Sequence, residues 1–254
     1  MKKIALITGG ARGIGQAISS VLLKDTAKMI LIDKAEKELT QTVEELKKLN
    51  QNVKGVHLDL NDNKYLEKVI NEILVEYKYV NILINNAGIG SGVNPKMIHE
   101  YDDDFWEISL EINLTIPYKL SKCFLPGMIK KKWGRIINIA SVAGKTGFKY
   151  GGAYCASKHG LIGLTKTIAL EVAQHGITVN AICPGPIDTT MLRNRLKFEL
   201  SGSSSTMAIL EKGSNAIGRF IQPEEVANLV YYLSLEKSGA ITGEALNISG
   251  GIRL

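Results

Sequence analysis

Tyr154 and Lys158 stand four residues apart in Tyr154-Cys155-Ala156-Ser157-Lys158. On a helix that spacing puts a phenol and an ammonium on one face. Such a pair can move a proton. An ammonium about 4 Å from a phenolate, at an effective dielectric of about 20, favours the ionised phenol by roughly 4 kcal/mol. That is enough to bring a tyrosine from a pKa of about 10 to about 7, where it can give and take protons at neutral pH. Taken alone, the spacing also fits an ordinary solvated helix.

The start of the chain supplies a partner for such chemistry. Lys2-Lys3-Ile4-Ala5-Leu6-Ile7 reads as a short apolar strand running into Thr8-Gly9-Gly10-Ala11-Arg12-Gly13-Ile14-Gly15. Glycines here allow a tight turn and close backbone approach, and the run Gln16 to Lys24 reads as a helix whose first amides can face a pyrophosphate. Gly9, Gly13 and Gly15 follow G-x-x-x-G-x-G. This is neither the G-x-G-x-x-G fingerprint nor a Walker A loop, which needs Lys-Ser/Thr after its last glycine. A glycine-rich turn without a ligand is the plainer alternative.

The next apolar strand, Met29-Ile30-Leu31-Ile32, ends on Asp33. An acid at that point accepts hydrogen bonds from the adenosine ribose hydroxyls and repels a 2'-phosphate, which favours NAD(H). Arg12 and Lys34 offer positive charge to a phosphate, so NADP(H) stays open. Asp33 also suits a helix N-cap before the helical run Glu36 to Leu49.

Further motifs follow in order: Asn85-Asn86-Ala87-Gly88 after the strand Val80 to Ile84, Asn113 in a helix, and Ser141 after the strand Gly134 to Ala140. Tyr154 and Lys158 come next, then Pro184-Gly185 after the strand Ile177 to Cys183. With the glycine loop they make six motifs in register. Over nearly its whole length the chain resembles the short-chain dehydrogenase/reductase family, in its single-domain branch of ~250 residues. Within that branch it resembles the 3-oxoacyl-carrier-protein reductases and related ketoreductases.

The resemblance implies roles. Tyr154 would be general acid in carbonyl reduction and general base in alcohol oxidation, while Lys158 would lower its pKa and hold the nicotinamide ribose. Ser141 would hydrogen-bond the substrate oxygen, and Asn113 would hold a water linking Lys158 to solvent. Asp59 and Leu60 match the grip on the adenine ring, and Asn86, Ala87 and Gly88 the wall beside the adenine ribose. Ile187 and Thr189, in Pro184-Gly185-Pro186-Ile187-Asp188-Thr189, match the loop that bonds the carboxamide. Read from the residues alone, Ser141 is a polar strand end, Asn113 a helix residue satisfying a carbonyl, Asp59 a helix cap and the two prolines a rigid turn.

Composition sets bounds that agree. The chain has 254 residues, 45% of them hydrophobic, enough for one core. Apolar β-rich runs alternate with amphipathic helical stretches, which predicts an α/β fold: a Rossmann-type doubly wound parallel sheet of about seven strands with helices on both faces. The expectation is a single NAD(P)-binding domain over 1–254 with a substrate lid at about 189–215. The N-terminal apolar run is too short for a signal h-region or a membrane span, which points to the cytoplasm. Cys123, Cys155 and Cys183 lack C-x-x-C spacing, the four histidines are scattered, and no metal site is expected.

The net charge is +6, and Lys130-Lys131-Lys132-Trp133-Gly134-Arg135 is the densest basic run. A lysine-rich helix C-terminus explains it better than nucleic acid does. The resemblance offers another use, since Lys132 matches a position at which the carrier-protein reductases receive their acidic carrier. His175 stands where a second such position is arginine. A homotetramer is implied in the same way, through the last strand with its preceding helix and through the helices around Asn113 and Lys158.

Substrate identity should be written in Thr189 to Asn215. Its middle, Ser201 to Thr206, is small and polar and reads as a mobile lid. Met191, Leu192, Leu196, Phe198, Met207, Ile209 and Leu210 read either as an apolar pocket wall or as buried helix faces. The loop Ile89 to Glu100 is about three residues longer than in the carrier-protein reductases. The leading expectation is therefore interconversion of a ketone and a secondary alcohol by hydride transfer, on a 3-oxoacyl thioester carried by acyl carrier protein or coenzyme A, or on a similar substrate. Oxidation of another secondary alcohol (a hydroxy acid, cyclic alcohol or sugar) is the alternative. A non-catalytic nucleotide-binding module has no chemical need for Asn113, Ser141, Tyr154 and Lys158 together.

Overall fold

The computed structural model describes residues 3–91, 95–199 and 215–252, without the side chains at 194, 195 and 197–199. Seven strands form one sheet: β1 (Ile4–Thr8), β2 (Lys28–Asp33), β3 (Val53–His57), β4 (Ile82–Asn85), β5 (Gly134–Ile139), β6 (Ile177–Pro184) and β7 (Ala245–Ile248). Every pairing is parallel, in the order β3-β2-β1-β4-β5-β6-β7. Parallel strands need crossover connections, which here carry the helices. These are α1 (Gly13–Leu22), α2 (Glu36–Lys47), α3 (Asn63–Tyr77), α4 (Asp103–Leu110), α5 (Ile116–Lys131), α6 (Gly152–Val172), α7 (Thr190–Glu199) and α8 (Pro223–Leu233).

The inner strands β1, β2, β4, β5 and β6 are mostly apolar because both faces are covered, whereas the edge strand β3 is largely exposed. Alternate side chains enter opposite layers. Leu6, Ile30, Ile32, Leu83 and Ile136 pack with Leu66, Phe124 and Ile168 from α3, α5 and α6. Their neighbours Ala5, Ile7, Leu31, Ile84 and Ile137 pack with Ile18, Val43 and Val230 from α1, α2 and α8. A one-residue slip would exchange the two sets.

Chain order places the site. From β1 the sheet grows outward through β2 and β3, then the chain crosses back to lay β4 beside β1. Beyond the C-terminal ends of β1 and β4 the connections diverge, which opens a crevice at that switch point. The glycine turn, the Asn86 turn, Ser141 and Gly185 all follow strand C-terminal ends and so share this edge.

Three sequence expectations shift. Asn113 lies in a π-helical turn, Glu111–Thr115, between α4 and α5, and not in a regular α-helix. The cap of α3 is Asp62, which accepts from the Tyr65 amide, and Asp59 instead accepts from the Asn61 amide in its own turn. The first part of the expected lid is α7, with Leu196 buried and Met191 exposed. Ser201 to Thr206, Met207, Ile209, Leu210 and the side chain of Phe198 lie outside the described residues.

Candidate active site

The glycine turn is held by side chains from β1 and β4. Thr8 Oγ1 accepts from the amides of Asn86 and Ala87, each at 3.1 Å. Asn86 Nδ2 donates back to the carbonyls of Thr8 at 3.0 Å and Gly9 at 2.9 Å. Backbones this close leave no room for side chains. A Cβ on Gly15 would run into the Gly9 carbonyl oxygen, and Gly9 itself sits at φ +65°, where L side chains are strained.

The N-terminus of α1 suits an anion. Its first turn carries no acidic residue, and its N-cap, Arg12, makes no side-chain cap. By contrast α4 is capped by Asp102 and has Asp103 and Asp104 in its first turn. Open amides at the positive end of a helix dipole, beside a turn that only glycine fits, match a dinucleotide's pyrophosphate. The residues present fit that cofactor.

Asp33 closes the outer end of this cradle. Its Oδ2 accepts from the Ala11 amide and its Oδ1 from the Ala35 amide, both at 3.0 Å. The helix-capping alternative thus holds in part, although Ala35 and not Asp33 is the N-cap of α2. The nearby cations face acids: Arg12 lies 4.0 Å from Glu38, and Lys34 lies 3.9 Å from Asp59. Leu60, the residue after Asp59, is buried.

At the inner end, Lys158 is buried, and its Nζ donates to the Ile139 carbonyl at 2.8 Å. Burial pushes its pKa down to about 8, against a smaller upward pull from Cys183. The ammonium lies 5.8 Å from the centroid of the Tyr154 ring. Phe148 flanks that ring from outside, with centroids 6.3 Å apart. Gly88 is where this group meets the nucleotide loops. A Cβ there would stand 3.0 Å from Asn113 Oδ1 and 3.6 Å from Lys158 Nζ, so the position admits little beyond glycine.

Asn113 is held by three hydrogen bonds. Its Oδ1 accepts from the Ile89 amide at 2.8 Å, while its Nδ2 donates to the Ile89 carbonyl at 3.0 Å and to Ser157 Oγ at 3.1 Å. The π turn moves this side chain out of α-helical register and toward the end of β4; such turns cluster at functional sites. Ser141 Oγ accepts from the Ala143 amide at 3.1 Å, which leaves its hydroxyl proton to donate.

The C-terminal loop completes the ring. Gly185 N donates to the Ile248 carbonyl at 3.0 Å, and Ile187 pairs with Ile221 in a parallel bridge. Thr189 arrives against the glycine turn, its Cγ2 3.4 Å from where a Gly13 Cβ would stand. A phenol, a buried ammonium and a hydroxyl thus surround the inner end of a cradle shaped for a dinucleotide. That is equipment for moving a proton beside a hydride.

A family model described as short chain dehydrogenase matches residues 3–200. This chain is a short-chain dehydrogenase. It is therefore an oxidoreductase. Its relatives include the 3-oxoacyl-(acyl-carrier-protein) reductase FabG of Escherichia coli (strain K12), 38% identical over 250 residues, 98% of this chain and 97% of that protein. FabG of Vibrio cholerae serotype O1 is 37% identical over the same shares of both chains. In three dimensions it is similar to a variant of actinorhodin polyketide ketoreductase solved with NADPH, with a TM-score of 0.90, 34% identity and coverage of 98% and 96% of the two chains.

This short-chain dehydrogenase brings its sequence-predicted site residues to one edge of the sheet, with one pair elsewhere. The chain at Lys132 lies beside the residue that follows His175, since a Cβ on Gly176 would press on the Lys132 carbonyl at 2.5 Å. Lys132 and His175 lie before β5 and β6, at the opposite edge, and six strand residues at ~3.3 Å each put them roughly 20 Å from Ser141. Sequence reasoning missed Thr8 as a clamp, Ser157 as a partner of Asn113 and Phe148 beside Tyr154. Only Thr8, next to the first glycine, carried a local signal. Among the described residues no group of acids, histidines and cysteines is placed to hold a metal, and no helix is long and apolar enough to cross a membrane.

Proposed function

We propose that this short-chain dehydrogenase interconverts a 3-oxoacyl thioester, or a similar ketone, and the corresponding secondary alcohol, with Tyr154 as general acid/base. The observation that carries the reading is the buried Lys158 ammonium, wedged between the Ile139 carbonyl, Gly88 and the Tyr154 ring. A nicotinamide cofactor supplies the hydride when bound. In reduction, Ser141 donates a hydrogen bond to the carbonyl oxygen and keeps its proton, while Tyr154 delivers the one proton that the oxygen gains as negative charge develops there. Lys158 stabilises the phenolate left behind, and a water held at Asn113 would link Lys158 to solvent for the replacement proton. In oxidation the same groups run in reverse.

Gly9, Arg12, Gly13, Ile14 and Gly15 would hold the pyrophosphate, with Asp33, Asp59, Leu60 and Asn86 to Gly88 around the adenosine. Pro184, Gly185, Ile187 and Thr189 would set the nicotinamide face. We favour NAD(H), because Asp33 faces the outer end of the cradle and both nearby cations, Arg12 and Lys34, already face acids. The actinorhodin ketoreductase was solved with NADPH, so this preference is specific to this chain's residues.

Substrate delivery on acyl carrier protein is supported by the two reductases named for it. Lys132 is the proposed docking point, at an arm's length from the site, with His175 in place of a second arginine making it weaker at neutral pH. A single domain with a lid at about 189–215, a cytoplasmic location and a homotetramer complete the proposal. For the tetramer, Tyr118 on α5 and Leu170 on α6 are exposed, Leu170 at 85%. A screen of NADH and NADPH oxidation against acetoacetyl and longer 3-oxoacyl thioesters, cyclic ketones and simple sugars tests the reading. Turnover of thioesters with NADH supports it, whereas turnover confined to sugars or cyclic ketones overturns the substrate class.

A further inference from the structure

A chain of buried polar side chains runs from α6 across β5 to β4. The Thr165 hydroxyl donates to the Leu161 carbonyl at 2.7 Å, so a lone pair is what it presents to the sheet. Asn138 Nδ2 donates to it at 2.9 Å. That turns Asn138 Oδ1 toward Asn85, whose Nδ2 donates at 2.7 Å. All three side chains are buried. With the Thr165 hydroxyl donating to its own helix carbonyl, both amides are oriented in series, and whichever way the series runs it ties α6 to β5 and β4. Asn85 Oδ1 is left without a partner among the described residues, one position before the Asn86 that clamps the glycine turn.

Packing alone does not require this arrangement. Much of the remaining buried stripe of α6, such as Leu161, Ile162, Ile168 and Val172, is apolar, and apolar burial carries no directional preference of its own. Hydrogen bonds are directional. Thr165 lies seven residues beyond Lys158, two turns along the same face. Asn138 directly precedes Ile139, the residue whose carbonyl receives the Lys158 ammonium. The polar chain and the ammonium bond therefore join the same two elements at adjacent points.

We propose that Thr165 and Asn138 are positioning residues of the proton relay, fixing the rotation and height of α6 on β5 so that Lys158 and Tyr154 reach their places. The inference rests on the roles given above to those two residues.

The test compares Thr165→Val, which keeps shape and removes the hydroxyl, with Thr165→Ser, which keeps the hydroxyl. Thr165→Ala serves if the valine variant fails to fold. The probe is 3-hydroxybutyryl-coenzyme A oxidation with NAD, read as kcat, cofactor KM and the pH midpoint of the rising limb. An ammonium held farther from the phenol stabilises phenolate less, so oxidation begins at higher pH. Thr165→Val should lower kcat on the order of tenfold and raise the midpoint by roughly one unit, with cofactor KM little changed. Thr165→Ser should restore both. A wild-type kcat and midpoint in Thr165→Val overturns the inference, as does a loss of kcat with no midpoint shift and no rescue by serine. If Tyr154→Phe is inactive while Thr165→Val behaves as wild type, only this inference fails; an active Tyr154→Phe removes the reading beneath it.

Discussion

The Lys158 ammonium donates to the Ile139 carbonyl at 2.8 Å from inside the protein, at the end of β5. Burial, and not a neighbouring charge, dominates its electrostatics, and it holds the pKa at about 8, below the ordinary 10.5. The fold thus disfavours the charged form that the proposed chemistry needs at neutral pH. Function and stability pull this residue in opposite directions.

Lys158→Met should therefore stabilise the cofactor-free protein at pH 7 while abolishing turnover. In the native state the group binds its proton less tightly than in the unfolded chain, so wild-type stability rises as pH climbs from about 8 toward 10.5. Below pH 8 the whole penalty is present, about 3 kcal/mol at 1.36 kcal/mol per unit. Losing the Ile139 hydrogen bond returns roughly 1 kcal/mol of it. Denaturant unfolding at pH 7 and pH 9.5 should show a variant more stable than wild type at the first pH, with a smaller gap at the second. A less stable variant at pH 7 would mean that the ammonium is better solvated than its burial implies.

Asn86→Leu should loosen the glycine turn without touching the proton relay. It removes both donors to the Thr8 and Gly9 carbonyls. Cofactor KM should rise at least tenfold, as expected when about 1.4 kcal/mol of binding is lost, with kcat within about threefold because the reacting groups stay in place. Steady-state kinetics with varied cofactor decides it, and a fall in kcat at unchanged KM would refute the division of labour.

Asp33→Ala addresses the proposed coenzyme preference. Removing the carboxylate takes away the ribose acceptor and the repulsion of a 2'-phosphate, which leaves the exposed Arg12 and Lys34, loosely paired with Glu38 and Asp59, to meet that phosphate. The ratio of kcat/KM for NAD over NADP should fall by on the order of a hundredfold, about 2.7 kcal/mol. An unchanged ratio would assign Asp33 to its bonds with Ala11 and Ala35 alone.

Much of the site was legible because its signals are local. Gly9, Gly13 and Gly15 sit in one turn, and Tyr154 and Lys158 lie one helical turn apart, so sequence spacing nearly equals spatial arrangement. The inner strands were legible for a related reason, since burial on both faces makes them nearly continuous apolar runs. What escaped depends on contacts across long separations. Thr165 meets Asn138 over 27 residues and Asn138 meets Asn85 over 53, and each alone reads as an ordinary polar position. The π turn at Asn113 leaves no mark in hydrophobic periodicity. Asp59 and Asp62 are equally good caps by type, and only the backbone path chose Asp62. Lys132 and His175 matched a pattern in sequence, but their distance from Ser141 follows from strand direction.

Tyr154→Phe is the most direct test of the central claim, because it removes one oxygen and leaves the ring beside Phe148 and Lys158 in place. Turnover of acetoacetyl-coenzyme A should be measured together with cofactor affinity by fluorescence titration. Loss of general acid catalysis predicts a fall in kcat of at least 10²-fold, with cofactor Kd within about threefold of wild type. Equal turnover by the variant, with cofactor bound equally well, would contradict the assignment of Tyr154 as the proton donor.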